Sequence, residues 1–327
     1  MRRHGCGGVT LMSDILNLAL PFFGLILLGV VAARRWQPGE QGLAWLNIFV
    51  IYFALPALIF QVVADAPVEE LANWPYLLAT TSVTTVAFFI VMLLSRVMFG
   101  TAWRTAVLQG TAGSYGNVGY MGLPLAVAFF GPEAAVPAAL VFCCDCTLHF
   151  VLAPLLATLA QQEEDTHWRK ILWRIVRQVM THPFIIATVL GVVASALHLT
   201  APGAVNTLLD MLMKAAGPAA LFALGVTVGL RRFAGTGPEL MLVSGMKIFL
   251  QPAMAFIAVS LIPGITPLWL HVAVMMAALP TASNAFILAS QYRSYTEGAS
   301  AAVIVTTLLS AITVPLLIYA IGAGLLP

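Results

Sequence analysis

The sequence predicts an all-α membrane protein: ten transmembrane helices arranged as two inverted five-helix repeats, with helices four and nine broken. Three observations predict it. The chain has 327 residues, of which 61% are hydrophobic and 9% charged. A soluble domain carries about 25% charged and 45–50% apolar residues, so a soluble fold would have nowhere to expose this much apolar surface. Residues 20–33, LPFFGLILLGVVAA, return as residues 182–195, HPFIIATVLGVVAS, with seven of fourteen positions identical. The same shift of 162 residues places Pro56 of FALPALIF on Pro218 of AAGPAALF. Finally, the basic residues fall on one side of the predicted spans.

A spanning helix needs about 20 mostly apolar residues. Such stretches lie at roughly 14–33, 42–63, 75–98, 104–130, 134–160, 171–197, 202–229, 239–262, 268–291 and 297–325. Turn residues separate them, as at Gln37-Pro38-Gly39, Gly131-Pro132, Ala201-Pro202-Gly203 and Ile262-Pro263-Gly264. Arg34 and Arg35 follow the first span, Arg96 and Arg104 flank the third loop, and Arg169, Lys170, Arg174 and Arg177 lie between the fifth and sixth. Arg231 and Arg232 follow the seventh and Arg293 the ninth, whereas Asp65, Glu69 and Glu70 occupy an opposite loop. The positive-inside rule then puts these basic loops in the cytoplasm and both termini on the outer side of the membrane. Five spans per copy is an odd number, so consecutive copies enter the membrane from opposite sides. Inverted repeats of this kind suit alternating access in a secondary transporter.

The expected division is 13–160 for the first repeat, 161–170 (QQEEDTHWRK) for a cytoplasmic linker, and 171–327 for the second repeat. Residues 1–12 lack a helical pattern and are expected to be a disordered tail or an upstream mis-start, with Met12 as the natural first residue. Arg2 and Arg3, on the wrong side for the charge rule, favour that start. The net charge of +2 comes with no basic tract, so nucleic acid is not an expected partner.

Span four contains GSYGNVGYMGLP, residues 113–124. Gly113, Gly116, Gly119, Gly122 and Pro124 oppose an unbroken helix there. Span nine contains ALPTASNAF, residues 278–286, with Pro280 at its break. Paired interruptions in corresponding spans point to a transport site. An unwound turn frees backbone N–H and C=O groups that lipid cannot satisfy. Two half-helix N-termini aimed at one place favour an anion such as a carboxylate. Asn117 and Tyr120 in one break, with Thr281, Ser283 and Asn284 in the other, are the expected substrate-binding side chains. The plainer alternative is a pair of kinks used only for close helix packing.

At these positions the chain resembles the auxin efflux carrier family, which includes plant auxin exporters and bacterial carboxylate carriers. Leu55-Pro56-Ala57-Leu58, Gly116-Asn117 through Gly122-Leu123-Pro124, and Leu279-Pro280-Thr281 carry the resemblance. It implies a fold of two crossed, broken helices like that of the bile-acid sodium symporters. Spans one, two, six and seven, with Pro56 and Pro218, would form a scaffold and a surface for a homodimer. Spans three to five and eight to ten would form the moving domain. The family's crossing Asn maps onto Asn117, and Thr281 takes the second crossing position. Plant members have Pro before that Asn where this chain has Gly116, so a small organic acid such as malonate is a better expectation than auxin.

Within the membrane, Asp145 and His149 of CCDCTLHF share a helical face. An intramembrane carboxyl beside an imidazole is a candidate proton carrier, or else a pair that fixes helix packing. Lys247 is expected to snorkel to the cytoplasmic end of its span, with substrate binding as the alternative, and Asp210 and Lys214 to pair at i,i+4. Glu133 is expected as a solvated charge at a helix start. Cys143, Cys146 and His149 at helical spacing invite a metal reading, but buried cysteine as a packing residue is far commoner. No cofactor is expected, and no Walker A sequence is present to bind ATP. Two other functions fit parts of the pattern: a sodium-coupled symporter of a larger organic anion, and an intramembrane hydrolase built on Ser114 and His149 or on Asp145 and Asp210.

Overall fold

The computed structural model describes residues 12–160, 173, 176, 177, 179–199, 201–231 and 237–326. The expectations for residues 1–11 and for the linker 161–170 lie outside the described residues. The regular elements are helices: α1 (Met12–Trp36), α2 (Gly39–Phe49), α3 (Leu55–Asp65), α4 (Val68–Leu71), α5 (Trp74–Phe99), α6 (Trp103–Ser114), α7 (Leu123–Phe130) and α8 (Ala135–Leu159). They continue as α9 (Pro183–Ala196), α10 (Gly203–Leu230), α11 (Pro238–Gly245), α12 (Gln251–Ser260), α13 (Pro267–Ala277), α14 (Ser283–Gln291) and α15 (Thr296–Gly322). Six stretches among the described residues are long and apolar enough to cross a membrane: Gln41–Asp65, Val68–Phe99, Pro132–Leu159, Gly203–Leu230, Pro238–Ser260 and Thr296–Gly322. The predicted fourth and ninth spans fall short because each is two half-helices.

Local sequence explains where these helices start, stop and widen. α5 starts at Asn73, whose side chain accepts from the Tyr76 N–H at 3.2 Å. It stops at Gly100, whose φ of +63° suits glycine and lets its N–H reach the Arg96 carbonyl. Proline opens α9, α11 and α13, where its missing N–H would have no helical partner anyway. Three π turns, Val50–Ala54, Val118–Gly122 and Met246–Leu250, join α2 to α3, lead into α7, and join α11 to α12. Each ends two residues before a proline: Pro56, Pro124 or Pro252. A helical proline clashes with the carbonyl four residues back, here that of Tyr52, Tyr120 or Ile248, the middle residue of each turn. Widening the helix at that carbonyl relieves the clash while the chain stays helical.

Small residues bring the helices together. A Cβ on Gly29 of α1 would lie 2.3 Å from the Phe222 carbonyl oxygen of α10, and one on Gly225 would lie 2.0 Å from that of Ile26. Backbones this close need glycine on both sides. On the other side of the molecule, a Cβ on Gly191 of α9 would lie 2.8 Å from Val63 Cβ and 3.1 Å from the Phe60 oxygen of α3. Moved by the 162-residue shift, Gly29, Phe222 and Gly225 become Gly191, Phe60 and Val63. Ser195 of α9 also donates to the Ala66 carbonyl at the end of α3, at 2.6 Å.

Between α1, α3 and α10 on one side and α7 and α8 on the other lies an open cavity of about 990 Å³. Its mouth carries Asp65, Glu70, Glu133, Asp210 and Lys214, and its inner wall includes Pro124 and Pro218. Pro124 rests against Gly217, where an added Cβ would meet it at 3.1 Å. Lys214 and Asp210 pair at 2.6 Å, as their spacing predicts, and both are exposed. Glu133 is exposed in a short 3-10 turn, Pro132–Ala134, leading into α8.

Candidate functional site

The two interruptions meet. α6 stops at Ser114, Tyr115 and Gly116 run extended, and the chain turns through Asn117 into a helix again at Val118. α13 stops at Ala277, and α14 begins at Ser283. The extended pieces pair antiparallel at Gly116 and Thr281. The Asn117 N–H donates to the Pro280 carbonyl at 2.8 Å, and the Ala282 N–H donates to that of Tyr115 at 2.9 Å. Each unwound segment thus satisfies part of the backbone of the other, which is what a non-helical stretch in an apolar environment requires.

The break is narrower than the glycines suggest. Gly119 and Gly122 lie in the π turn, and Pro124 stands near the start of α7, so these three do not unwind the chain. They make room instead: a Cβ on Gly119 would lie 2.7 Å from the Phe142 ring, and one on Gly122 would lie 2.7 Å from Met276 Sδ. Gly113 likewise lies within α6, against Val91. Gly116 and Pro280 do sit in the extended segments.

Both helix starts at the crossing lack a side-chain cap, leaving their first N–H groups without an intrahelical acceptor. Asn117 Nδ2 and Ser283 Oγ are buried there without a hydrogen-bond partner. Both residues line a cavity of about 20 Å³, together with Tyr115, Asn284 and Cys146. That volume is enough for about one water molecule. Asn284 Nδ2 donates to the Tyr115 hydroxyl at 3.3 Å. Tyr120 lines this cavity as well, and its hydroxyl donates to Asn47 Oδ1 at 3.1 Å. Thr281 is fully buried; its hydroxyl donates to the Ala112 carbonyl at 2.8 Å, and its N–H donates to Thr306 Oγ1 at 2.9 Å. Its side chain ties the crossing to α6.

Asp145 and His149 share a face, but not as a carboxylate–imidazole pair. The Asp145 carboxyl accepts from Thr84 Oγ1 at 2.8 Å. His149 Nδ1 lies 2.8 Å from the backbone oxygen of Asp145, its Nε2 lies 2.9 Å from Ser114 Oγ, and Tyr115 stacks on its ring at 4.2 Å. The Ser114–His149 pair is therefore formed, yet both residues are fully buried and neither lines either cavity described above. Cys143 Sγ bonds Thr188, Cys146 Sγ accepts from Tyr115, and His149 turns to Ser114, so the three candidate metal ligands aim at different partners.

Lys247 does not snorkel. It is fully buried, and its Nζ donates to Gln251 Oε1 at 2.8 Å and to the Ala277 carbonyl at 2.6 Å. Gln251 Nε2 donates to the Ser114 carbonyl at 3.0 Å and reaches Thr84 Oγ1 at 3.4 Å. A polar chain thus runs from Lys247 through Gln251 and Thr84 to Asp145. Depth along the span suggested snorkelling, because a lysine stem can climb a turn or two. The contrary signal was Gln251, four residues on and on the same face: two polar side chains aligned in a span usually face protein.

A sequence profile described as "Membrane transport protein" matches residues 14–318. The chain belongs to this family, that of the auxin efflux carriers. Over 316 residues it is 40% identical to the Rhizobium meliloti protein named "Putative malonate transporter", covering 97% of this chain and 98% of the relative. It is 28% identical over 296 residues to an uncharacterized transporter of Methanothermobacter thermautotrophicus, covering 89% and 93%. It is 25% identical over 304 residues to the uncharacterized transporter YfdV of Escherichia coli K12, covering 92% and 95%. As a member of this family the protein is a multi-pass membrane transporter, and its matched relatives are named as transporters rather than enzymes.

Proposed function

We propose that the protein is a secondary active transporter that carries a small mono- or dicarboxylate, such as malonate, across the bacterial inner membrane by alternating access. Ten spans in two inverted repeats cross at Gly116 and Thr281, and the substrate carboxylate binds there. The observation that carries this reading is the pairing of the two breaks, with two uncapped helix starts and the unpartnered Asn117 Nδ2 and Ser283 Oγ facing one small cavity. A carboxylate accepts from both kinds of donor and favours the positive ends of the two helices. The name of the 40% identical relative supports malonate.

The glycine contacts related by the 162-residue shift support the repeat. They belong to α1, α3, α9 and α10, which form the scaffold and offer a face for a homodimer. The remaining spans move against it. The large cavity opens on the outer side, where the acidic loops and both termini lie, and the small site beside the crossing widens when substrate enters from it. A proton, held by the chain that includes Asp145 or by His149, accompanies the substrate.

Counterflow in proteoliposomes tests the proposal. Preloaded malonate should drive uptake of labelled malonate, and other small carboxylates should compete. Labelled malonate that stays outside, with no other small carboxylate exchanging either, would reject it.

A further inference from the structure

Lys247 is a lysine at the crossing with no acid beside it. Its Nζ is held by the oxygen of a neutral amide, Gln251, and by the carbonyl of Ala277, the last residue of α13. Among the described residues no carboxylate lies within 4.0 Å of it. Asp145 lies beyond two neutral side chains and acts on the lysine across them, and His149 adjoins this chain through Ser114, whose carbonyl receives Gln251, and through the Asp145 backbone oxygen. On the opposite side of Nζ runs the unwound strand. A Cβ on Gly116 would sit 3.2 Å from Nζ and 3.4 Å from the Met276 oxygen. A side chain at 116 would press on the lysine head, which would have to give by a few tenths of an ångström. The same Gly116, with Asn117 beyond it, lines the small cavity.

A buried charge is ordinarily paired. This one has its hydrogen bonds but no counter-ion in contact, since Asp145 acts on it only across Gln251 and Thr84, and it stands one backbone strand away from donors that lack acceptors. We propose that Lys247 is a specificity-determining residue of the transport site: its ammonium, fixed behind Gly116 by Ala277 and Gln251, is the positive charge that the carried anion balances, so that no inorganic cation is needed. The lysine also secures the carboxyl end of α13, as a cation at a helix C-terminus does. This inference rests on the carboxylate-transport reading and adds to it the residue that selects for negative charge.

Equilibrium binding of malonate to the detergent-purified full chain, in sodium chloride and in choline chloride, tests it. The wild type should bind equally in both salts. Lys247→Gln, which keeps a donor near Ala277, should weaken binding tenfold or more. Gln251→Glu should do likewise, because it sets a carboxylate against Nζ while leaving the lysine in place; it decides the matter if Lys247→Gln does not fold. Wild-type binding that requires sodium, or folded variants that bind within twofold of wild type, would overturn the role of Lys247 and leave the transport reading standing. A wild type that binds no small carboxylate would remove both.

Discussion

Asn117 is a buried amide whose donor faces a cavity with nothing to receive it. A hydrogen bond to a charged group contributes about 1.5–3 kcal/mol. Asn117→Ala should therefore weaken carboxylate binding by roughly ten- to a hundredfold while the protein still elutes as a folded species in size-exclusion chromatography. Thr281 works differently. Its hydroxyl is donated to the Ala112 carbonyl, so Thr281→Ala should lower thermal stability as well as binding, and Thr281→Ser should restore both. Asp145→Asn should spare binding at a fixed pH and flatten the pH profile of transport; an unchanged profile would remove Asp145 from proton coupling alone. Residue types in the breaks were legible in the sequence because Asn, Thr and Ser stand out in an apolar span. Their directions were not: Tyr120 points to Asn47 and Thr281 to Ala112 because of neighbours 73 and 169 positions away, which no local pattern encodes.

Among the elements, spans four and nine were recognisable as interrupted from glycine, proline and polar side chains where lipid tolerates none. What the pattern blurred was which glycine does what. Gly116 lies in the unwound strand, whereas Gly119 and Gly122 stay helical and yield space to Phe142 and Met276. Proline was ambiguous for a related reason, since a π turn absorbs it at Pro56, Pro124 and Pro252 without ending the helix. The closest backbone approach is that of α1 and α10. Gly225→Leu should force them apart and destabilise the protein by about 1–3 kcal/mol, the usual cost of overpacking, read as a lower apparent Tm in detergent. The same substitution at Gly237, where an added Cβ meets nothing within 4 Å, should have little effect.

At the scale of the molecule, the large cavity and the far end of α10 lie on opposite sides of the crossing in the proposed topology. There the Arg231 guanidinium sits over the Phe286 ring of α14, 3.8 Å from its centroid. Burial pulls the Arg231 pKa down to about 10, which still leaves it cationic at pH 7. In the proposed transport cycle this contact would join the scaffold to the moving domain and hold the inner side shut while the outer side is open. Arg231→Ala should shift the population toward the inward-open form. A cysteine at Ala285, in a background without native cysteines, should then react several-fold faster with a membrane-permeant maleimide; an unchanged rate would show that Arg231 is not a gate. The proposed repeat rests on one shift of 162 residues, which also carries the Gly29–Phe222 contact onto Gly191–Phe60. The Arg231–Phe286 contact was not legible, because Arg231 reads in the sequence only as a positive charge beyond a span.

The central claim is that paired amide ends at the crossing hold a carboxylate, and thermal unfolding of the purified protein with malonate and related acids tests it most directly. A ligand that binds only the folded state adds about 2.7 kcal/mol of apparent stability at a hundred times its Kd. Wild type should show a melting temperature that climbs with carboxylate concentration, and Asn117→Ala should start from a similar temperature and stay flat. A wild type indifferent to every small carboxylate, or a variant that climbs as steeply, would contradict the account.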